Sequence, residues 1–210
     1  MKVLAITYDT GVANGLFRPI LKLNEDKKLE TIILSEGPSR NVFDAQQIKY
    51  KTLQDYGLSE INEGNVDAVI DKENPDIILT GFSEGIMLEK YSISNAKSRK
   101  ITSFTVLEGY TNYLKIVSDN EIKNPFMYMP DYICIMDNFI LEEMLKLKFD
   151  KDKLILTGNP YFDDLIALKN SFNEGDLRKI RNELNIDENG YLITFFSQAI
   201  KKVIDKGSDN

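Results

Sequence analysis

The chain carries no histidine and a single cysteine, Cys134, so any acid–base chemistry must use carboxylates, lysines or tyrosines. A Ser-His-Asp triad, a Cys-His pair and an HExxH zinc site are excluded outright. Among the carboxylates, Glu108 is the leading candidate. It ends the apolar run Ile101 to Leu107 and opens the polar cluster Glu108-Gly109-Tyr110-Thr111-Asn112-Tyr113. That position suits a catalytic or ligand-binding carboxylate, and equally a helix cap. Tyr110, Asn112 and Tyr113 can hold hydroxylated ligands by stacking and hydrogen bonding. A second cluster, Asp9-Thr10-Gly11-Val12-Ala13-Asn14-Gly15, follows the first apolar run, with a helix expected from about Gly15. Free backbone amides there, around Gly11 and Asn14, would cradle an anionic group, or the segment is a plain strand-to-helix turn. Neither G-x-G-x-x-G nor Gly-Lys-Ser/Thr occurs in it, so dinucleotide and Walker-type phosphate binding are unsupported.

Two further turns complete the set. In Gly81-Phe82-Ser83-Glu84-Gly85, Ser83 is a natural helix N-cap and Glu84 a second acidic candidate. In Thr157-Gly158-Asn159-Pro160, a proline at a first helical turn with Asn159 before it makes a compact strand-to-helix device, and Asp137 is expected to cap the helix at Asn138. Asp150-Lys151-Asp152 has the letters of a metal-binding D-x-D but sits in a lysine-flanked turn ahead of a strand. Cys134 lies inside Tyr132-Ile133-Cys134-Ile135-Met136 and reads as a core thiol. No metal site and no cofactor are expected.

These turns are positioned by an alternation of short apolar runs with helix-period segments, the pattern of βα units around a mostly parallel sheet with helices on both faces. Strands are expected at Lys2 to Tyr8, Glu30 to Ser35, Asp76 to Thr80, Ile101 to Leu107, Asp131 to Met136, Lys153 to Thr157 and Tyr191 to Phe196, with a weaker one at Ile48 to Leu53. Helices are expected at Gly15 to Leu23, Glu60 to Lys72, Glu84 to Ser98, Asn138 to Lys148 and Leu177 to Leu184. In the fourth, Phe139, Met144, Leu145 and Leu147 are expected to share the inner face. Ligands of such a sheet bind at the carboxyl ends of its strands, so Gly11, Ser83, Glu108, Tyr110, Asn112 and Asn159 are expected to line one cleft.

With 210 residues, 42% of them hydrophobic, the chain supports one domain or one and a fraction. Residues 1–170 are expected to form a Rossmann-like domain, and 171–210 a linker helix followed by either a terminal strand and helix docking back on the sheet or the start of an incomplete second domain. The strand from Tyr191 to Phe196 should therefore not pair centrally in the main sheet. Lys plus Arg number 26 against 33 Asp plus Glu, a net charge of −7 that disfavours nucleic acid as a partner. No run reaches the roughly 18 apolar residues of a membrane span, and nothing at the N-terminus looks like a signal peptide, so a cytoplasmic location is expected.

Several of these segments together resemble a known family. Leu156-Thr157-Gly158-Asn159-Pro160-Tyr161-Phe162-Asp163, preceded by Met129-Pro130-Asp131-Tyr132 and Val106-Leu107-Glu108-Gly109, looks like the N-terminal half of the UDP-N-acetylglucosamine 2-epimerase and GT-B glycosyltransferase superfamily. The resemblance covers about residues 1–200 and implies one of two Rossmann-like halves that face a cleft. It implies a substrate-facing carboxylate at Glu108, where the family's Glu-Ala-Gly appears as Leu107-Glu108-Gly109, shifted by one. A second acidic position after the Asp76 to Thr80 strand is met only loosely, by Glu84. The family's other half carries most nucleotide contacts and, in the epimerases, a catalytic histidine, and this sequence lacks it. The implied function is the acceptor-side half of a nucleotide-sugar enzyme, a glycosyltransferase or 2-epimerase, truncated or completed by a partner chain that supplies a second Rossmann-like domain. Its ligand would be a nucleotide-sugar or sugar acceptor. Two other functions match the residues: a non-catalytic sugar- or nucleotide-binding module, and a flavodoxin-like domain for a small anion.

Overall fold

The computed structural model describes residues 1–196 apart from 84, 111, 120, 188 and 189. The chain divides into two compact units, Met1–Leu165 and Ile166–Asn210. In the first, six parallel strands run in the order β2-β1-β3-β4-β5-β6: β1 Lys2–Thr7, β2 Glu30–Ser35, β3 Ile77–Thr80, β4 Thr102–Val106, β5 Tyr132–Ile135 and β6 Leu154–Leu156. All six lie within the segments expected from sequence, trimmed by a residue at one or both ends except β2, which coincides. The weak candidate at Ile48 to Leu53 is reduced to a single parallel bridge, Leu34 to Lys51, ahead of a helical turn at Leu53–Tyr56.

Strand order decides which helices cover which face. The chain steps from β1 to β2 in one direction, then returns past β1 and proceeds through β3, β4, β5 and β6 in the other. Right-handed crossovers therefore put the first helices on one face and the later ones on the opposite face. Helices α1 Thr10–Glu25 and α2 Ser39–Ala45 share a cluster with Ala5 and Ile33. Helices α3 Glu63–Glu73 and α4 Leu88–Arg99 pack on Leu4, Ile6 and Ile78 from the other side. Further along that side, α5 Tyr113–Val117 and α6 Asn138–Lys146 bury Ile133 and Ile135. On the α1 side, the half of the sheet beyond α1 has no crossover helix of its own among the described residues. Leu79, Phe104, Val106 and Cys134 line an apolar groove there of about 590 Å³. Cys134 is accordingly half-buried, and not enclosed in the core as its apolar neighbours suggested.

The phase of α6 also differs from expectation. Ile140 and Met144, four apart, are its buried pair, whereas Phe139 is 58% exposed. Helix α7, Pro160–Ser171, begins in the first unit, and α8, Glu174–Glu183, is capped by Asn173, whose side chain accepts from the Asp176 amide while Asp176 accepts from the Asn173 amide. No described residue from Ile166 onward is buried. The strand expected at Tyr191 to Phe196 is not formed: among the described residues no strand pairs with the segment, and Tyr191 is 99% exposed.

Candidate functional site

At the carboxyl edge of the sheet, Gly11, Asn14, Gly15, Glu108, Gly109, Asn159, Tyr161 and Phe162 enclose a cleft of about 310 Å³. Its floor is set by the start of α1. The expected loop Asp9 to Gly15 is mostly helix: Asp9 is extended, Thr10 is already helical, and the first intrahelical bond runs from the Ala13 amide to the Asp9 carbonyl at 3.1 Å. The amides of Thr10, Gly11 and Val12 thus precede any intrahelical partner. Gly11, Asn14 and Gly15 stand three and four apart and share one face of the helix.

Glycine at position 11 lets the opposite wall approach closely. A Cβ there would lie 2.5 Å from Glu108 Oε1 and 2.8 Å from its carboxyl carbon. Glu108 follows β4 by two residues, and Leu107 before it is still held by the sheet, its amide donating to the Cys134 carbonyl at 2.9 Å. The carboxyl is half-buried. Burial, then the charge of Asp9, then that of Glu89 push it up to about 7. The dipole of α1 favours the charged form and acts against these three influences. At neutral pH Glu108 is divided between acid and base, the condition for general acid–base work.

Ser83 lies beneath the cleft and caps no helix. Helix α4 starts at Leu88, four residues later than the cap reading requires, and Ser83 is 1% exposed. Its hydroxyl accepts from the Asp9 amide at 3.1 Å and donates to Glu89 Oε1 at 2.6 Å. Glu89 was not singled out from sequence, although Glu89, Ile93 and Ala96 are spaced i, i+4, i+7 and are all buried, the signature of an inward-facing stripe.

The remaining candidates divide. Asn159 lines the cleft, and its side chain accepts from the Tyr161 amide at 3.0 Å, fixing the start of α7. Gly158 turns the chain with φ +80 but does not line the cleft. Tyr110 is 49% exposed, its hydroxyl donating to Asp137 Oδ2 at 2.9 Å, while Asp137 caps α6 through the Ile140 amide as expected. Asn112 sits at the start of α5 in a left-handed conformation, φ +62. Tyr110 and Asn112 are not in the cleft wall. Glu84 lies outside the described residues. Gly109, Tyr161 and Phe162 were not expected in the wall. Among the described residues no group of three or more acidic or thiol side chains is placed to hold a metal, and no helix is long and apolar enough to cross a membrane.

The architecture is a parallel Rossmann-like sheet with a cleft at its carboxyl edge. Solved structures agree. UDP-GlcNAc 2-epimerase from Neisseria meningitidis bound to UDP-GlcNAc superimposes with a TM-score of 0.64 at 18% identity, covering 90% of this chain and 56% of that one. The S. aureus MnaA–UDP co-structure gives 0.62 at 17%, over 97% and 51%. UDP-GlcNAc 2-epimerase from Methanocaldococcus jannaschii gives 0.61 at 17%, over 89% and 54%. The chain therefore has the fold of these epimerases and spans about half their length. No family model and no curated protein sequence matches it.

Proposed function

We propose that this chain is the acceptor-side half of a GT-B-type nucleotide-sugar enzyme, glycosyltransferase or 2-epimerase in kind, and that a second Rossmann-like domain completes it. The observation that carries this reading is the Glu108 carboxyl, held near neutrality against the open N-terminus of α1 in a fold shared with UDP-GlcNAc 2-epimerases. Glu108 is the proposed catalytic group: protonated it donates to a departing oxygen, ionised it removes a proton from the sugar. Gly11, Asn14 and Asn159 shape the pocket around the sugar. Asp9, Glu89 and Glu108 influence one another electrostatically and make this wall acidic, so a diphosphate is repelled from it. The sugar end of the ligand then lies at Glu108, and the diphosphate is held by the other half. Residues 171–210 serve in this reading as the linker helix and the opening of that half, which accounts for the apolar side chains bared at Ile193, Phe195 and Phe196.

Calorimetric titration of the purified chain with UDP-, CDP- and GDP-sugars, with product analysis alongside, tests the proposal. Binding on the order of millimolar without detectable turnover is expected. Robust turnover by the chain alone that disappears in Glu108→Gln overturns the half-enzyme reading. Weak binding that survives Glu108→Gln but is lost when bulk is added at Gly11 supports a binding module without catalysis instead.

A further inference from the structure

A carboxylate inside a protein without a cation beside it is costly, and Glu89 is 3% exposed with no ion pair among the described residues. Its neighbour Lys90 does not serve it: that ammonium donates to the Ser118 carbonyl at 2.7 Å and lies over the rings of Phe82 and Tyr128. One oxygen of Glu89 takes the Ser83 hydroxyl at 2.6 Å, and the other, Oε2, is buried with no hydrogen-bond partner among the described residues. The groups around it come from separate elements: Asp9 at the start of α1, Ser83 after β3, and Glu108 after β4, whose proton affinity the Glu89 charge raises. Burial as the main cause, with Asp9 adding to it, pushes Glu89 itself up to about 7, against the opposing effect of the Ser83 bond and the nearby amides of Glu89 and Tyr8.

We infer that Glu89 is a positioning residue of the Glu108 site. Through Ser83 it fixes the backbone at Asp9 where α1 begins, and with it the floor against which the Glu108 carboxyl rests. The inference deepens the reading of Glu108 as the working carboxyl, but its mechanical part stands without any ligand. The chain Asp9 amide to Ser83 hydroxyl to Glu89 carboxylate ties the first turn of α1 to the first turn of α4, and Gly11, two residues beyond Asp9, is the residue against which the Glu108 carboxyl rests. Losing the tether frees the cleft floor. Losing the charge leaves the floor in place and changes only the proton equilibrium of Glu108.

These two effects separate by experiment on the 210-residue chain without nucleotide-sugar. Carboxyl NMR titration follows Glu108, assigned through Glu108→Gln, while amide hydrogen exchange follows Asp9. In Glu89→Gln the amide oxygen still accepts from Ser83, so Asp9 protection is retained while the Glu108 midpoint falls. In Ser83→Ala the Asp9 amide exchanges faster. Should Glu89→Gln fail to fold, the reciprocal Glu108→Gln, made at the half-exposed carboxyl, lowers the Glu89 midpoint by the same amount, because the coupling between two sites is mutual. A Glu108 midpoint unmoved in Glu89→Gln, a Glu89 midpoint unmoved in Glu108→Gln, or Asp9 exchange unmoved in Ser83→Ala overturns the inference. None of these results depends on nucleotide-sugar binding, so the inference and the proposed function can fail separately.

Discussion

Adding one methyl group at Gly11 should damage the site while sparing the fold. The new Cβ of Gly11→Ala would overlap Glu108 Oε1 at 2.5 Å and the carboxyl carbon at 2.8 Å, atoms at the free end of a flexible side chain. Swinging that end aside costs about 0.5–1.5 kcal/mol in rotamer energy. Alanine recovers about 0.5–1 kcal/mol over glycine in a helix, so the net change stays within about 1 kcal/mol. That is a Tm shift of no more than about 2–4 °C for a chain of this size. Glu108, moved toward water and away from Asp9 and Glu89, should lose its raised proton affinity, its midpoint falling from about 7 toward the ordinary glutamate range. Gly81→Ala is the matched control. There the Cβ would meet Val12 Cγ1 at 2.5 Å and Cγ2 at 2.8 Å, and Val12 is a fully packed, branched residue that cannot swing away. Overpacking of this kind costs about 1–3 kcal/mol. Thermal melts followed by circular dichroism, with carboxyl NMR titration of Glu108, read both effects. If Gly11→Ala melts as low as Gly81→Ala, or if the Glu108 midpoint stays near 7 in Gly11→Ala, the described relation between Gly11 and Glu108 is wrong.

Other outcomes follow from the same structure. Burial pushes the Glu73 carboxyl up, but bonds from Lys51 at 2.7 Å and Tyr56 at 2.6 Å, and the charges of Lys51 and Lys2, hold it below the usual range. Its stabilisation is present above the unfolded glutamate pKa and is lost as pH falls through the lower folded value. Glu73→Gln should therefore cost about 1–3 kcal/mol near neutrality and flatten the acid limb of a Tm-against-pH curve; an unchanged limb contradicts it. Glu89 has the opposite sign. Its folded pKa of about 7 lies above the ordinary 4.5, so the native state holds the extra proton and wild-type stability declines as pH rises through that window. Glu89→Gln should gain on wild type between about pH 5 and pH 8 by on the order of 3 kcal/mol, and a constant difference across that range refutes the burial argument. Asp137→Ala removes the α6 cap and should lower stability by about 1 kcal/mol, seen as a Tm drop of a few degrees.

The sheet was legible in the sequence because parallel strands covered on both faces are apolar on consecutive residues, as in Ile32-Ile33-Leu34 and Ile77-Ile78-Leu79. The same property hid which face is bare. Ile77 and Leu79 are apolar whether or not a helix covers them, and only the strand order reveals that none of the later crossovers lies on the α1 side. The start of α1 was read too late because Gly11 and Gly15 are poor helix formers. The close approach of Glu108 accounts for a glycine at the first of them. Glu108, Gly11, Asn14 and Asn159 were found by one rule, position after a parallel strand, and the cleft contains all four. The same rule overreached at Tyr110 and Asn112, where the loop carries the side chains past the wall, and it missed Glu89, which is on a helix. Finding Glu89 required reading a charged residue as inward-facing, which helical spacing supports and composition opposes.

The central claim, that the cleft between Gly11 and Glu108 receives the sugar end of a nucleotide-sugar, is tested most directly by mapping NMR shifts on the 210-residue chain during titration with UDP-GlcNAc and, separately, with UDP. UDP-GlcNAc should move the amides of Gly11, Gly15 and Gly109 and the Glu108 carboxyl, and UDP alone should leave the Glu108 carboxyl unmoved, since the acidic wall repels its diphosphate. Shifts confined to residues outside the cleft, or no shifts at millimolar UDP-GlcNAc, would contradict that claim.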